Sequence, residues 1–454
     1  MTAPTLFIGL GTFFWVPLSL ALGRRPVFLI STFIHLLAMI AAGFSRTFME
    51  LVVANCVLGL CEGLPLSLVS SFLLCVDRLS NSIQALLMVI DMTFIAQRPK
   101  AIALLWSVAG LFGTGGLAFV PFLSGSGDYW RSFYLRWSPT SAAALLFAYL
   151  LFPETYFKRP TVAFDGMILI QSATEKLTVY ADLEVDSDIY RDLPNFDVEK
   201  PGLLHRIGLG CSPCGSWKAM ARCYPQMLFC MINPLIFWVL IAASFNFAGM
   251  LFIGATFAAV LAAPPYNMAS TQIPIVNVSA GVGGLFGYFI AGYGMSKVLN
   301  RLSKRNGGVR EAEHYLVGHV IPTVTGCLST LLYGVAVHYT LPFYVYCIAY
   351  GINGLSWVSL AIVNTLWVTE AFPRWAAPAM AVVTGGCYLM SFTMSFALGA
   401  WVESHGYLIL SFELTGLQFV GGLIALPIAF WGKSARQKIH GRWTNDRSGA
   451  LRPL

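Results

Sequence analysis

The sequence predicts an all-α, multi-pass membrane protein, a two-lobed bundle of about 11 transmembrane helices. Three observations predict this. The 454 residues are 57% hydrophobic and only 11% charged, with a mean hydropathy of +0.70, and a soluble fold of this length could not bury so much apolar surface. Apolar runs of about 20 residues recur along the chain. One long polar segment separates five of these runs from the six that follow it.

Each run is long enough, or nearly so, to cross the hydrocarbon core of a bilayer. The predicted spans lie at about 4–22, 28–45, 50–74, 101–123, 132–152, 227–258, 274–296, 316–338, 342–369, 376–402 and 409–431. The predicted units are a first lobe at 1–152, a linker at 153–226, a second lobe at 227–432 and a tail at 433–454. The linker holds ten of the 21 acidic residues and few apolar clusters, so we expect short helical pieces there at most.

Loops that carry many basic residues alternate along the chain with loops that carry few, and this alternation predicts the orientation of the chain in the membrane. Loops rich in lysine and arginine face the cytoplasm in membrane proteins. This rule places the linker and the C-terminus in the cytoplasm and the N-terminus outside. It also explains the net charge of +7 without a nucleic-acid partner. We expect the plasma membrane, with the vacuolar membrane as the alternative.

Polar residues at membrane depth are costly and usually face a cavity or a partner, so they mark candidate transport sites. Glu62 lies in the middle of a predicted span, with no basic residue nearby in sequence. It is read either as a proton-titrating or cation-binding carboxylate or as a helix-packing acid. Glu370 lies at a span end, where it either contributes to transport or pairs with Arg374 four residues later.

Uncharged candidates are asparagines within the spans. Asn55, Asn246 and Asn364 either contact a solute or form hydrogen bonds between helices. A membrane-embedded enzyme would need a nucleophile with its base, or clustered histidines and acids, and the seven histidines are scattered. The sequence therefore predicts a transporter and no enzyme. No cofactor and no metal are expected, because the single CxxC pair at 211–214 lacks a second ligand pair.

Several segments resemble one family, and their order along the chain is that of the family. PLSLALGRRPVFL (17–29) is similar to the cytoplasmic loop signature of the major facilitator superfamily. The other segments resemble its fungal drug:proton-antiporter branch, which includes polyamine and multidrug exporters. They are DMTFIAQRPKAIALLW (91–106), WRSFYLRW (130–137), PETYFKRP (153–160), SKRNGGVREAEHYL (303–316) and NTLWVTEAFPRWAAPAMAVV (364–383).

This resemblance implies twelve helices in two related lobes and solute export coupled to proton entry by alternating access. It also implies a gating loop with Gly23, Arg24 and Arg25, and a following loop with Asp91 and Arg98. Guanidinium groups at a helix end can bind carboxylates or helix termini of the other lobe and release them when the lobes rock. The expected partners are a small-molecule solute, protons and the bilayer, and we expect a monomer.

The sequence also departs from the family pattern. The first span matches the family's second helix, so the chain is read as N-terminally truncated, with the first helix missing. Residues 75–89 look inserted, and Asn55 stands where the family carries an arginine. These departures keep an alternative open, in which the chain is a transport-inactive relative or a membrane sensor of the same fold.

Overall fold

The computed structural model describes residues 3–62, 97–124, 129–151, 167–171, 177–181, 215–307, 311–372 and 375–443. Asp91 and the suspected insertion at 75–89 lie outside the described residues. The described helices of the first lobe are α1 (Ala3–Leu22), α2 (Arg24–Phe44), α3 (Phe48–Glu62), α4 (Arg98–Gly115), α5 (Val120–Ser124) and α6 (Tyr129–Leu151). A single 3-10 turn, Gly116–Phe119, joins α4 to α5.

The second lobe follows the linker, and most of its described residues are helical. Its helices are α7 (Trp217–Ile232), α8 (Pro234–Ala262), α9 (Ile275–Gly287), α10 (Met295–Arg305), α11 (Val320–His338), α12 (Phe343–Ala371), α13 (Ala376–Leu423) and α14 (Ala425–Trp443). A π-helical segment, Tyr288–Gly294, joins α9 to α10, and a 3-10 segment, Ala312–His319, leads into α11.

Within the described residues, eight helical stretches are long and apolar enough to cross a membrane. Three features account for the difference between these eight stretches and the 11 spans predicted from the sequence. The stretch Ala376–Arg436 contains two predicted spans and is counted once, α3 is described over only 15 residues, and the first half of α6 is polar. Many large apolar side chains are exposed on the outer surface, among them Phe33 and Phe289, as expected where the surrounding solvent is lipid.

The linker was expected to hold short helical pieces at most, and this was wrong in two places. Met167–Gln171 and Leu177–Ala181 form a two-stranded antiparallel sheet, because β-branched and aromatic residues favour strands there. The helix α7 also begins inside the predicted linker. Its buried side chains Cys223, Met227 and Cys230 recur at helical spacing and pack toward the bundle.

The predicted span 227–258 crosses a helix boundary. Asn233 Oδ1 accepts a hydrogen bond from the backbone N–H of Leu235 at 3.0 Å, and Pro234 occupies the first turn of α8. An N-cap asparagine followed by proline starts a new helix, because proline needs no hydrogen bond for its missing N–H at that position. The membrane helix is therefore Pro234–Ala262.

At the other end of the chain, α13 joins two predicted spans across Gly406, whose φ of 72° interrupts the helix between them. The helix α14 then runs past the predicted tail boundary at 432/433 to Trp443. The beginning of the predicted tail is thus a continuation of the last helix, and Arg436 within it is buried.

The two lobes meet along packed helix pairs. The largest buried apolar cluster joins residues of the first lobe, such as Val16 and Ile102, to residues of the second, such as Leu366 and Met380. The pair formed by α4 and the α9–Tyr288–Gly294 segment is called the interlobe seam below. Small residues let its backbones approach closely: a Cβ on Gly281 would lie 2.8 Å from the carbonyl oxygen of Leu111.

Close approach also holds the second lobe together. A Cβ on Gly283 of α9 would lie 1.8 Å from the carbonyl oxygen of Gly351 of α12, so any side chain must push two backbones apart. Replacing Gly283 by alanine should cost about 1–3 kcal/mol through overpacking. The measurement is the apparent Tm of the purified protein in detergent.

Gly416→Ala is the matched control, because a Cβ at Gly416 would meet nothing within 4 Å. Equal melting temperatures for the two variants would show that the contact between α9 and α12 does not require glycine.

Candidate functional site

One end of the bundle carries most of its lysines and arginines and is called the basic end below. The described basic residues there are Arg24, Arg25, Arg98, Lys100, Lys297, Arg301, Lys304, Arg305, Lys433 and Arg436. An ion pair joins the two lobes at this end. Arg98, in the first turn of α4, donates from Nη1 to Oε1 of Glu370, in the last turn of α12. Arg98 is 5% exposed, so its charge needs this partner.

Glu370 was expected either to serve transport or to pair with Arg374. The structure gives it a partner in the other lobe, and Arg374 lies outside the described residues. Among the predicted gating residues, Arg98 thus reaches the second lobe. Arg25 Nη2 donates to the carbonyl oxygen of Tyr149 in α6, within its own lobe, at 2.8 Å. Gly23 separates α1 from α2 with a φ of 105°, which favours glycine, and Arg24 is buried beside it.

A second buried ion pair lies next to the first. Nη2 of Arg436 contacts both carboxylate oxygens of Glu313, at 2.8 and 3.1 Å, and Nη1 donates to the carbonyl oxygen of Ala371 at 3.3 Å. Ala371 follows Glu370 directly, so the guanidinium of α14 also satisfies the C-terminus of the helix that carries the interlobe carboxylate. The sequence did not reveal this role, because Arg436 looked like one of several solvated basic residues in a tail.

Between the lobes lies a small cavity of about 40 Å³. It is lined by Trp106 of α4 and by second-lobe residues, namely Ala243, Trp357, Leu360, Ala361, Asn364, Thr365, Met380, Val383, Thr384, Cys387 and Tyr388. No lining residue among those described carries a formal charge. The indole N–H of Trp106 donates to Thr365 Oγ1 at 3.4 Å across the lobe boundary.

Three aromatic residues, Trp106, Trp357 and Tyr388, line the cavity. The ring of Phe247, which is not a lining residue, lies 4.8 Å from that of Trp357 and 5.7 Å from that of Tyr388, measured between ring centres. Ring faces of this kind accommodate flat apolar groups and attract organic cations. The sequence contains 63 aromatic residues and gave no signal to single out these three.

The asparagine candidates have different surroundings. Asn364 lines the cavity, and its Oδ1 lies 2.9 Å from Nε2 of the buried His319. Asn246 Nδ2 donates to Ser356 Oγ at 2.8 Å, which links α8 to α12. Asn55 Oδ1 accepts from the hydroxyl of Tyr134 at 2.6 Å, which links α3 to α6. Asn246 and Asn55 thus form hydrogen bonds between helices and do not line the cavity. Asn364 forms a hydrogen bond and also lines the cavity.

Glu62 lies at the described end of α3, with 44% of its side chain exposed. Its Oε1 is 3.9 Å from Nε2 of the buried His35 in α2, a partner that sequence spacing did not indicate. The carboxylate and its histidine partner both belong to the first lobe.

The comparisons with known proteins agree with this geometry. The family model described as Major Facilitator Superfamily matches residues 1–395. The chain belongs to the major facilitator superfamily. Its members are transporters, and the predicted fold class is therefore confirmed, as is the position of the chain as an integral membrane protein.

Two fungal relatives and one solved structure illustrate the similarity. An uncharacterised MFS-type transporter of Schizosaccharomyces pombe is 24% identical over 355 residues, which cover 70% of this chain but only 59% of that protein. The MFS transporter cpaT of Aspergillus oryzae is 22% identical over 449 residues, covering 95% of this chain and 78% of the relative. The proton:xylose symporter XylE superposes with a TM-score of 0.57 at 12% identity, over 97% of this chain and 88% of that one.

The buried Arg436–Glu313 ion pair and the exposed Lys433–Glu311 ion pair, both in the second lobe, should differ in their contribution to stability. Arg436→Leu leaves the Glu313 carboxylate buried without its partner, which should cost about 3–5 kcal/mol. The double variant Arg436→Leu/Glu313→Leu should recover most of that loss, because apolar replacement of a buried pair is tolerated. Thermal unfolding in detergent measures both.

Lys433→Met is the matched control. Lys433 Nζ donates to Glu311 Oε1 at 2.6 Å at an exposed site, and this hydrogen bond lowers the pKa of the Glu311 carboxyl. Its small contribution is present at neutral pH and is lost as the pH falls through the pKa of the folded state. If Lys433→Met lowered the Tm as much as Arg436→Leu, burial would not be what distinguishes the two pairs.

Proposed function

We propose that this chain is a secondary active transporter that exports small organic solutes in exchange for protons, by alternating access. The observation that carries the proposal is the cavity at the lobe boundary, lined by Trp106 of the first lobe and by eleven residues of the second, together with the Arg98–Glu370 ion pair that joins the lobes at the basic end. A site at a lobe boundary opens to one side when the lobes rock about it. With the basic end in the cytoplasm, the structure corresponds to a state closed on that side.

The size of the cavity supports a moving-lobe mechanism. Its volume of about 40 Å³ is far below the roughly 300–1,000 Å³ of sites that enclose drug-sized ligands. A solute can therefore enter only when α4 and its Trp106 separate from α12. That motion must break the Trp106–Thr365 hydrogen bond, the Arg98–Glu370 pair, or both, depending on which side opens.

The chemistry of the cavity suggests amphipathic organic cations of the multidrug or polyamine type. Three aromatic rings offer faces to a cation or a flat apolar group, and Asn364 offers a hydrogen-bonding amide. Glu62 would supply a negative charge nearby. The name of XylE gives xylose as the solute of that protein, and a likeness at 12% identity shows a shared fold only.

Proton coupling is assigned to Glu62, with His35 as its partner. A partly exposed carboxylate in a predicted span can bind a proton or a cationic solute but not both at once, as antiport requires. Nε2 of His35 lies 3.9 Å from Oε1 of Glu62. We place the protein in the plasma membrane, with the vacuolar membrane as the alternative, and expect it to act as a monomer.

The test uses purified full-length protein in liposomes with an acidic lumen and two probes, labelled spermidine and ethidium. The protein should accumulate at least one probe above protein-free liposomes. Glu62→Gln should abolish accumulation driven by the pH gradient yet retain exchange of probe for probe at lower affinity, because the aromatic lining and Asn364 remain while the group shared by proton and solute is absent.

Glu403→Gln is the control, since it neutralises an exposed carboxylate outside the cavity. Gradient-driven accumulation that survives in Glu62→Gln would refute the coupling role. The alternative of a transport-inactive relative or membrane sensor is favoured by Asn55, which stands where the family carries an arginine and is hydrogen-bonded to the hydroxyl of Tyr134. It would be supported if the probes quenched tryptophan fluorescence but were never accumulated.

The ion pair between the lobes should control the opening of the basic end. Glu370→Gln leaves the buried Arg98 without a carboxylate, at a cost of about 2–5 kcal/mol. We expect faster amide hydrogen exchange in 98–106 and 366–372, measured by mass spectrometry. The charge-swapped variant Arg98→Glu/Glu370→Arg should restore slow exchange, and Lys433→Met should leave it unchanged. Unaltered exchange in Glu370→Gln would show that the pair does not hold the lobes closed.

A further inference from the structure

Two lysines from different lobes meet at one aromatic ring at the basic end of the interlobe seam. Lys100 Nζ lies 5.5 Å from the ring centre of Tyr293, and Lys297 Nζ lies 4.5 Å from the same centre. Lys100 belongs to α4 of the first lobe, whereas Tyr293 and Lys297 belong to the second. The two ammonium groups are therefore no further apart than these two distances combined.

Close approach of the two backbones at the interlobe seam brings these residues together. A Cβ on Gly292 would lie 2.4 Å from the Cβ of Ala103, so only glycine lets this segment lie directly against the start of α4. The contact occurs within the π-helical segment Tyr288–Gly294, and π-helical turns are frequent at functional sites. Tyr293 consequently lies beside Lys100 while its ring is 47% exposed on the outer surface of the bundle.

Within the part of the chain that the structure describes, the charges at this place have no carboxylate partner. Among the described residues, no carboxylate lies within 4 Å of Lys100, Lys297 or Arg301. Arg301 is exposed one turn after Lys297, and the buried side of α10 is formed by Met295 and Leu299. Ring contact contributes little at exposed sites, and an anion within reach of both lysines would add a stronger charge–charge contact.

We propose that Lys100, Lys297 and Tyr293 form a binding site for the phosphate group of an anionic phospholipid. The exposed tyrosine at a helix end matches the interfacial depth at which headgroups lie. The basic end is the predicted cytoplasmic end, and the cytoplasmic leaflet carries the anionic lipids that attract basic residues next to the membrane. A lipid phosphate held by both lysines is shared by the two lobes, in addition to the Arg98–Glu370 pair.

The test is native mass spectrometry of the purified protein with phosphatidylserine or phosphatidylcholine added at equal concentration. Phosphatidylserine should bind in preference, and Lys100→Gln/Lys297→Gln should weaken its binding about tenfold, with phosphatidylcholine unaffected. Lys304→Gln/Arg305→Gln removes two charges further along α10 and should change binding less than twofold.

Tyr293→Leu provides a second variant that keeps both charges, and it should also weaken phosphatidylserine binding. Equal binding by the protein with and without Lys100 and Lys297 would overturn the proposal. So would displacement of the lipid by free glycerophosphoserine or inorganic phosphate at similar concentration, because the site would then take a soluble phosphate. The binding measurement does not depend on transport, so it can succeed or fail independently of the proposed export.

Discussion

The arrangement of the basic end depends on one constraint, which is that a charge withdrawn from water must meet an opposite charge. Arg98 and Arg436 are both almost fully buried, and each reaches a carboxylate on another element. Their partners determine which helices can lie together: α4 with the end of α12, and α14 with the segment that precedes α11. Because Arg436 also binds the carbonyl oxygen beside Glu370, the two pairs share the last turn of α12.

The interlobe seam is held by a different force. The hydrophobic effect gives helices inside a bilayer little reason to associate, so they rely on close packing and on hydrogen bonds. Glycines of α9 meet small residues of α4, and a side chain at Gly281 or Gly292 would collide with the opposite helix. Bulky side chains also pack at this boundary, because Ile102 and Leu105 lie in the buried cluster that includes Ala291 and Met295. Close backbone approach and apolar packing therefore act together along the seam, and the ion pair adds a directional contact at one end of it.

How far the sequence predicts this structure varies with the type of feature. Apolar runs gave the helices and the two lobes, because lipid requires long helices whose backbone groups are internally bonded. Boundaries were less certain: α7 looked like linker because Lys218 and Arg222 interrupt its apolar side, and the break at Asn233–Pro234 lay inside one apolar run. Glu62 and Glu370 stood out as rare acids at membrane depth. That His35 and Arg98 are their partners could not be predicted, since pairing across distant helices leaves no local spacing to read.

The positions of the charged groups also separate the proposed tasks of the protein. Arg98 and Glu370 are paired with each other at the basic end, so neither is available to a solute while the lobes are closed there. Glu62 lies elsewhere in the first lobe, and its ion-pair partner among the described residues is a histidine, while the cavity lining carries no formal charge. A fixed cation close to Glu62 would hold the carboxylate and prevent it from exchanging a proton for a solute. In the proposed mechanism, an uncharged cavity and a weakly paired carboxylate therefore let the same group bind either ligand, while the closure of the lobes is controlled at a distance.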